Sequence, residues 1–346
     1  NVADDLGSLF QFKQIDFSKS EAYYRLYNYF NNETKVKGSD VQGSTAVGYY
    51  PKNVADTYNS VYSNVASLIA NATGSDDDYI NAYNALKTAN EALILNMPEE
   101  GRYYVLRSAY SGYSKDALAY ASPTENKIYW DTKMTNTDAT AIWSFTPTSD
   151  GKFKVTNLHT GSSFGEFIGY DPSPLHEEGV AVSIESLSAD GQVGIKANGT
   201  MMHAQSDYKA VVNWATGAGG ASSWRIVEVE DMSLVNFALK IGEYRHAGLY
   251  LNYATEIPDG VHVYIAHTPN GQEGTIIADE LDGSVIPART AVIVKGNAGT
   301  YNFRYTTNES GDDLSKNLLG GSAYLKYQEV EEPGNLCCVF GRRDNE

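Results

Sequence analysis

Cysteine is nearly missing from this chain: two of 346 residues, Cys337 and Cys338, adjacent in sequence. Neighbouring residues of a strand point to opposite faces, so the pair is poorly placed to bridge with itself. With no third cysteine, a disulfide framework and a thiolate zinc cluster are both excluded. Histidine is sparse as well, with six residues scattered at 159, 176, 203, 246, 262 and 267. None forms H-E-x-x-H or an i, i+4 helical pair, so no metal site is expected. A G-x-x-x-x-G-K phosphate loop is missing, and no cofactor is implied. No apolar run approaches the ~20 residues of a helical membrane span. Positive charge is short: 26 Lys and Arg face 43 Asp and Glu, for a formal net charge of −17. Such a surface repels phosphate backbones, and no basic stripe offsets it, which argues against nucleic acid as a partner. The opening residues Asn1-Val2-Ala3-Asp4-Asp5 carry neither a basic nor an apolar leader segment. A signal peptide, if the protein is made with one, is expected to be gone before Asn1.

Tyrosine is what the chain has in excess, 26 against 11 Phe and 4 Trp. Its flat apolar ring with a hydroxyl at the edge suits β-sheets in general and sugar-facing surfaces in particular. Length allows two or three cores.

Residues 1–98 read as helical. Ser18-Lys19-Ser20-Glu21 has the form of a capping box, followed at helical spacing by Ala22, Tyr23, Leu26, Tyr27 and Phe30. A polar loop over 31–48 leads to Pro51, which opens a second helix with Val54, Tyr58, Val61, Val65 and Leu68 on one seam. Thr73-Gly74-Ser75 breaks it, and a third helix carries Ala82, Leu86, Ala89 and Leu93; the pair should form an antiparallel hairpin. Asp76-Asp77-Asp78 complements the dipole at the start of the third helix, with a calcium site as the alternative.

After Met97-Pro98 the period changes to short β runs, and an internal repeat emerges over 99–231. The segments 141–145, 182–186 and 222–226 share a large apolar residue at the centre, Trp143, Ile184 and Trp224, 41 and 40 residues apart. A second set of runs begins at Tyr103, Phe153 and Val193, 50 and 40 apart, so the first unit carries an insertion. Three units of about 40 residues, each with four short strands, predict a pseudo-threefold β-trefoil. Residues 232–346 show alternating runs at 249–253, 261–265, 291–294 and 301–305, an antiparallel β-sandwich pattern. The last run, Cys338-Val339-Phe340-Gly341, leads into a turn with no return strand. The fold class is thus multi-domain and mainly β: a helical hairpin or bundle (1–98), a central β-trefoil (99–231) and a C-terminal antiparallel β-sandwich (232–346).

Each trefoil unit places an aromatic beside Asp or Asn: Trp130-Asp131, Tyr170-Asp171 and Asn213-Trp214, with the rings 40 and 44 residues apart. A sugar's apolar C–H face stacks on such a ring while the polar neighbour takes its hydroxyls. The same rings could equally plug the trefoil core; Trp143 and Trp224, with alternating apolar neighbours, read as core. Gly161-Ser162-Ser163-Phe164-Gly165 matches G-x-S-x-G, but it lies between β runs and not at a strand-to-helix elbow, so no nucleophile is read from it.

The chain resembles secreted, cell-surface proteins of gut Bacteroidetes in which a FIVAR-like helical module precedes a ricin-B-like β-trefoil and a C-terminal β-sandwich. The likeness rests on Leu93-Ile94-Leu95-Asn96-Met97-Pro98, on Trp143 and Trp224 at the place of the Trp of Q-x-W, and on 284–294 with Asn317-Leu318-Leu319-Gly320-Gly321. Ala141 and Ser222 replace the Gln of that motif, and Ile184 replaces the second Trp. The resemblance implies a secreted or outer-surface, non-catalytic protein that binds a glycan or glycoprotein. Its rivals are an accessory portion of a larger secreted hydrolase, such as a glycoside hydrolase or peptidase, and a spacer without a ligand.

Overall fold

The computed structural model describes residues 18–215, 217–269 and 275–323. Cys337, Cys338 and the final run at 338–341 lie outside them. The chain is mainly β, with three helices, and forms two compact units that part between Asn96 and Met97; Ala46–Gly48 belong to the second. Among the described residues no helix is long and apolar enough to cross a membrane.

In the first unit, α1 (Glu21–Asn32), α2 (Lys52–Asn71) and α3 (Asp76–Ala92) share one apolar cluster built on Leu26, Tyr29, Tyr58, Val65, Tyr79 and Leu86. The capping box expected at Ser18 gives way to Ser20, whose hydroxyl accepts from the Tyr23 amide. Ser20 is the residue immediately before the helix, where the chain is still extended, so its oxygen reaches the third amide. At α3 the box is real: Ser75 Oγ accepts from Asp78 N, and the Asp78 carboxylate accepts from Ser75 N at 2.8 Å. Bonds from Ser75 hold the Asp78 carboxyl below its ordinary range, so this acid of the triplet serves the helix end.

The second unit opens with twelve strands in three sets of four. The first set is β1 (Tyr103–Ser108), β2 (Leu118–Ala121), β3 (Ile128–Asp131) and β4 (Ile142–Pro147). The second is β5 (Phe153–Asn157), β6 (Ser163–Phe164), β7 (Leu175–His176) and β8 (Val182–Ser186), and the third is β9 (Val193–Ala197), β10 (Thr200–Ala204), β11 (Val211–Asn213) and β12 (Trp224–Glu228). Outer strands of the sets pair in a closed ring, β1–β4–β5–β8–β9–β12 and back to β1. Inner strands form three hairpins, β2–β3, β6–β7 and β10–β11. A closed six-stranded barrel with three hairpins is β-trefoil topology, and closure leaves the ring no free edge. The hairpins meet one another: Ile128 N donates to Ser173 O, and Ser173 N to Val211 O, each at 2.9 Å.

Strand register identifies the equivalent residues. Tyr104 faces Trp143, Phe153 faces Val182, and Val193 faces Trp224. Trp143, Val182 and Trp224 therefore occupy one threefold position, and Ile184 belongs with Phe145 and Ile226, opposite Val155, Ile195 and Leu106. The expected equivalence of Ile184 with the two tryptophans is displaced by two residues. A two-residue shift leaves a side chain on the same face, so alternation alone did not reveal it. Both tryptophans are fully buried and make the same bond: Trp143 Nε1 donates to Ala119 O at 3.1 Å, and Trp224 Nε1 to Met202 O at 3.0 Å. In the middle unit, where Val182 replaces the indole, the position of Ala119 and Met202 is taken by buried Phe164, whose ring lies 4.8 Å from Trp143. The aromatic volume has changed strand and the barrel stays filled.

Eight further strands follow, all paired antiparallel: β13 (Asn236–Ile241), β14 (His246–Leu249), β15 (Thr255–Glu256), β16 (Val261–His267), β17 (Ile277–Glu280), β18 (Val285–Ile286), β19 (Val292–Gly296) and β20 (Gly299–Arg304). They form the sheets β13–β20, β14–β19–β16–β17 and β15–β18. The apolar run at 249–253 is not one strand. It leaves β14 after Leu249, and Asn252 Nδ2 instead donates to His159 O in the trefoil at 2.8 Å.

That bond belongs to a broad junction. Tyr104 and Leu106 point into the barrel, whereas Val105 between them joins a second apolar cluster with Leu118, Ile142, Leu158, Val263, Val294 and Phe303. Strand β1 is thus covered on both faces, and the C-terminal sheets complete the outer core over Val105, Leu118 and Ile142. At the seam the His159 ring stacks on Phe237 at 4.4 Å, and Gly161, at φ +67, lies so close to Asn252 that a Cβ would come within 2.7 Å of it. Here glycine is required both by backbone conformation and by close approach.

Burial disfavours the charged form of His159 and lowers its pKa from 6.5 to about 4. The unfolded chain therefore takes up this proton first as pH falls. The contribution is fully present above about 6.5 and is lost between there and about 4, roughly 3 kcal/mol in all. Urea unfolding of the full chain at pH 7.5 and 4.5 should show a smaller acid loss in His159→Gln than in the parent, by about 2–3 kcal/mol. Equal acid losses in both proteins would show that His159 is not the titrating group.

Candidate functional site

The six residues singled out in the sequence fall in three different environments. Trp130 lies on β3 with its side chain in the barrel core, 3% exposed. Its indole N–H donates to Gln205 O at 2.7 Å, and Tyr113 from the long β1–β2 connection covers it, ring centroids 5.6 Å apart. Asp131, the next residue, turns outward and holds Lys209 Nζ at 2.9 Å. Burial pushes this carboxyl up, but bonds from Lys209 and the Lys133 amide outweigh it, and the net shift is downward.

Asn213 and Trp214 end the third hairpin. Asn213 Oδ1 accepts from Met201 N at 2.9 Å, and its own amide donates to Ile168 O at 2.8 Å. Trp214 is gripped through its backbone: its N–H donates to Met201 O at 3.2 Å, and its carbonyl accepts from Ser222 Oγ at 2.8 Å. The indole itself stands in solvent, 51% exposed. Tyr170 comes from the β6–β7 connection and is 74% exposed. Its φ of +73 is uncommon for a residue with a side chain, and the following amide, of exposed Asp171, turns back to Gly169 O at 3.0 Å.

Tyr170 and Trp214, 44 residues apart in sequence, come together. Their ring centroids lie 6.5 Å apart with planes at 80°, which makes an aromatic corner with two nearly perpendicular walls. His203 on β10 adds a third ring, 6.0 Å from Trp214 and tilted by 39°. Its Nδ1 lies 2.9 Å from the hydroxyl of buried Ser222. Burial lowers the His203 pKa, so the ring is neutral at neutral pH. Sequence reasoning counted His203 among scattered histidines and named Ser222 at the place of the Gln of Q-x-W, and singled out neither as a site residue. The one available sign was His203 as the polar residue within the run Met201-Met202-His203-Ala204.

Register shows why the corner forms once and not three times. Leu118 faces Asp131, Ser163 faces His176, and Trp214 N donates to Met201 O, so Asp131, His176 and Trp214 are equivalent. The residues before them, Trp130, Leu175 and Asn213, form the inward set. Trp130 and Trp214 thus differ by one step, and one step turns a side chain to the other face. His203 corresponds to Tyr120 and Gly165. Of the three hairpins, all described, the third alone carries an indole at the outward position, where the other two carry a carboxylate and an imidazole. Ser163, within the G-x-S-x-G match, is fully buried on β6 with its hydroxyl 2.8 Å from Thr156 Oγ1, away from any elbow.

The sequence matches no protein-family model and no curated protein. Parts of the chain are similar to solved structures. One is a GlcNAcα1-4Gal releasing endo-β-galactosidase from Clostridium perfringens, at 17% identity and TM-score 0.31 over 37% of this chain. A second is the Rhizoctonia solani agglutinin, at 13% identity and TM-score 0.32, covering 38% of this chain and 99% of that one. A third is a Polyporus squamosus lectin, at 14% identity and TM-score 0.31, covering 42% and 53%. This chain spans 33% of the length of the endo-β-galactosidase structure.

The two tryptophans should respond oppositely to truncation. Trp130→Ala removes a core side chain and its hydrogen bond and should cost about 3–5 kcal/mol of unfolding free energy. Trp214→Ala should stay within about 1 kcal/mol of the parent in the same urea titration. Equal losses would place Trp214 in the core as well.

Proposed function

We propose that this chain is a non-catalytic, carbohydrate-binding protein whose trefoil takes a glycan at the Tyr170–Trp214 corner. The observation that carries this reading is the pair of exposed, perpendicular rings on a backbone anchored from both sides. Large aromatic faces held in water leave apolar surface that gains from being covered. A pyranose fits the need: one C–H face lies on Trp214, its edge meets Tyr170, and its hydroxyls reach polar atoms at the margin. Anchoring Trp214 through Met201 and Ser222 reduces the ordering cost that binding would otherwise impose. The expected sugar contact at Trp130 is not part of this reading, since that ring is covered by Tyr113. A glycan or glycoprotein partner and a secreted or outer-surface location go with the proposal.

Binding to a glycan array, followed by calorimetry on the best ligand, should detect a sugar whose affinity falls tenfold or more in Trp214→Ala and in Tyr170→Ala. Tyr208→Ala, which removes a ring 86% exposed and outside the corner, should leave affinity within about twofold. A sugar that binds equally to the parent and to both corner variants would overturn the assignment.

A further inference from the structure

On the reading just given, we propose that the corner selects neutral pyranosides over acidic ones, and that His203 makes the selection by presenting a hydrogen-bond acceptor at Nε2. Geometry fixes which ring nitrogen carries the proton. A serine hydroxyl has one proton to give, and that of Ser222 goes to Trp214 O at 2.8 Å. The same oxygen lies 2.9 Å from His203 Nδ1, and the one proton left for that bond is on the nitrogen. The chain therefore runs from His203 Nδ1–H to Ser222 Oγ–H to Trp214 O. A neutral imidazole protonated at Nδ1 carries a lone pair at Nε2, and Nε2 has no hydrogen-bond partner among the described residues.

Burial favours the neutral form of this ring. A sugar hydroxyl beside Trp214 can donate to that lone pair. A carboxylate or sulfate brings only lone pairs of its own and meets an acceptor where it needs a donor. The protein's net charge of −17 acts in the same direction at longer range. Ser222 is thus a positioning residue: it touches no ligand and sets what His203 offers.

The device is confined to the third unit. Trp224, Trp143 and Val182 are equivalent, so the places of Ser222 in the other units fall to Ala141 and Val180, which have no hydroxyl. Those of His203 fall to Tyr120 and Gly165.

Two measurements on the full chain test the proposal. Long-range ¹H–¹⁵N NMR of the imidazole at pH 7.5 should find His203 neutral with its proton on Nδ1. A proton on Nε2, or an imidazolium, overturns the proposal whatever the protein binds. Calorimetry with methyl glycosides of galactose, glucose and N-acetylglucosamine, against methyl glucuronide and sialyllactose, should favour a neutral sugar about tenfold or more. His203→Gln, whose amide can donate or accept, should narrow that gap to about threefold or less, and Ser222→Ala, which frees the tautomer, should narrow it as well. Acidic sugars binding as tightly as neutral ones through Trp214 would overturn the selectivity and leave the glycan site standing. Failure of every sugar in the panel to bind would instead sink the glycan reading itself, while the NMR result would still report the tautomer.

Discussion

Two buried indole N–H groups tie the barrel of this trefoil to its hairpins. Trp143 reaches Ala119 O and Trp224 reaches Met202 O, each from the fourth strand of a unit to the second. Each bond satisfies a donor that would otherwise be costly inside an apolar core, and each fixes how far a hairpin sits from the barrel wall. Since the six-stranded ring closes on itself, a slip at one strand would have to pass through all the others. The surface follows from this register, which sets which residue of a hairpin turns inward, which turns outward, and which loop ends meet.

The candidate site is one consequence. Trp130 and Trp214 look alike in sequence, each beside a polar residue near the end of a third strand. One step of register separates them, and that step sends one into the core and the other into water. Tyr170 is not on a strand at all. It reaches Trp214 because the β6–β7 connection is long, and because Asn213 N–H closes on Ile168 O. A threefold scaffold thus carries a corner in one unit, with the other two positions filled by Asp131 and His176.

The repeat itself was legible because four-strand units of about 40 residues recur with turns between them, and the first unit's extra length was visible in the spacing. Exact equivalence was not. Val182 and Ile184 share a face, and with two apolar residues two apart the larger one was the natural match for tryptophan. The exchange of bulk between Val182 and Phe164 shows only in three dimensions, because the two residues lie on different strands. The helical module was read correctly in its three helices and in the break at 73–75; the first cap lay two residues on, where two serines compete for one role. The run at 249–253 looked like a strand because Leu249, Leu251 and Tyr253 alternate. All three are buried, but Leu251 and Tyr253 lie beyond the end of β14, in a segment tied to the trefoil through Asn252. Alternation reports burial on one side and does not say what provides the cover.

Continuous apolar stretches such as 103–106 and 117–119 carried a signal of their own. A strand that is apolar at every residue has cover on both faces, and in the first trefoil unit the C-terminal sheets provide the second cover. The C-terminal sheets thus cover the outer face of the first trefoil strands, while Trp214 at the end of the third hairpin is exposed. A ¹H–¹⁵N spectrum of the four tryptophan indoles during titration with a bound sugar tests this arrangement most directly. The account predicts that the Trp214 resonance moves with saturation while those of Trp130, Trp143 and Trp224 stay in place. Movement of the Trp130 resonance with Trp214 unchanged would contradict it.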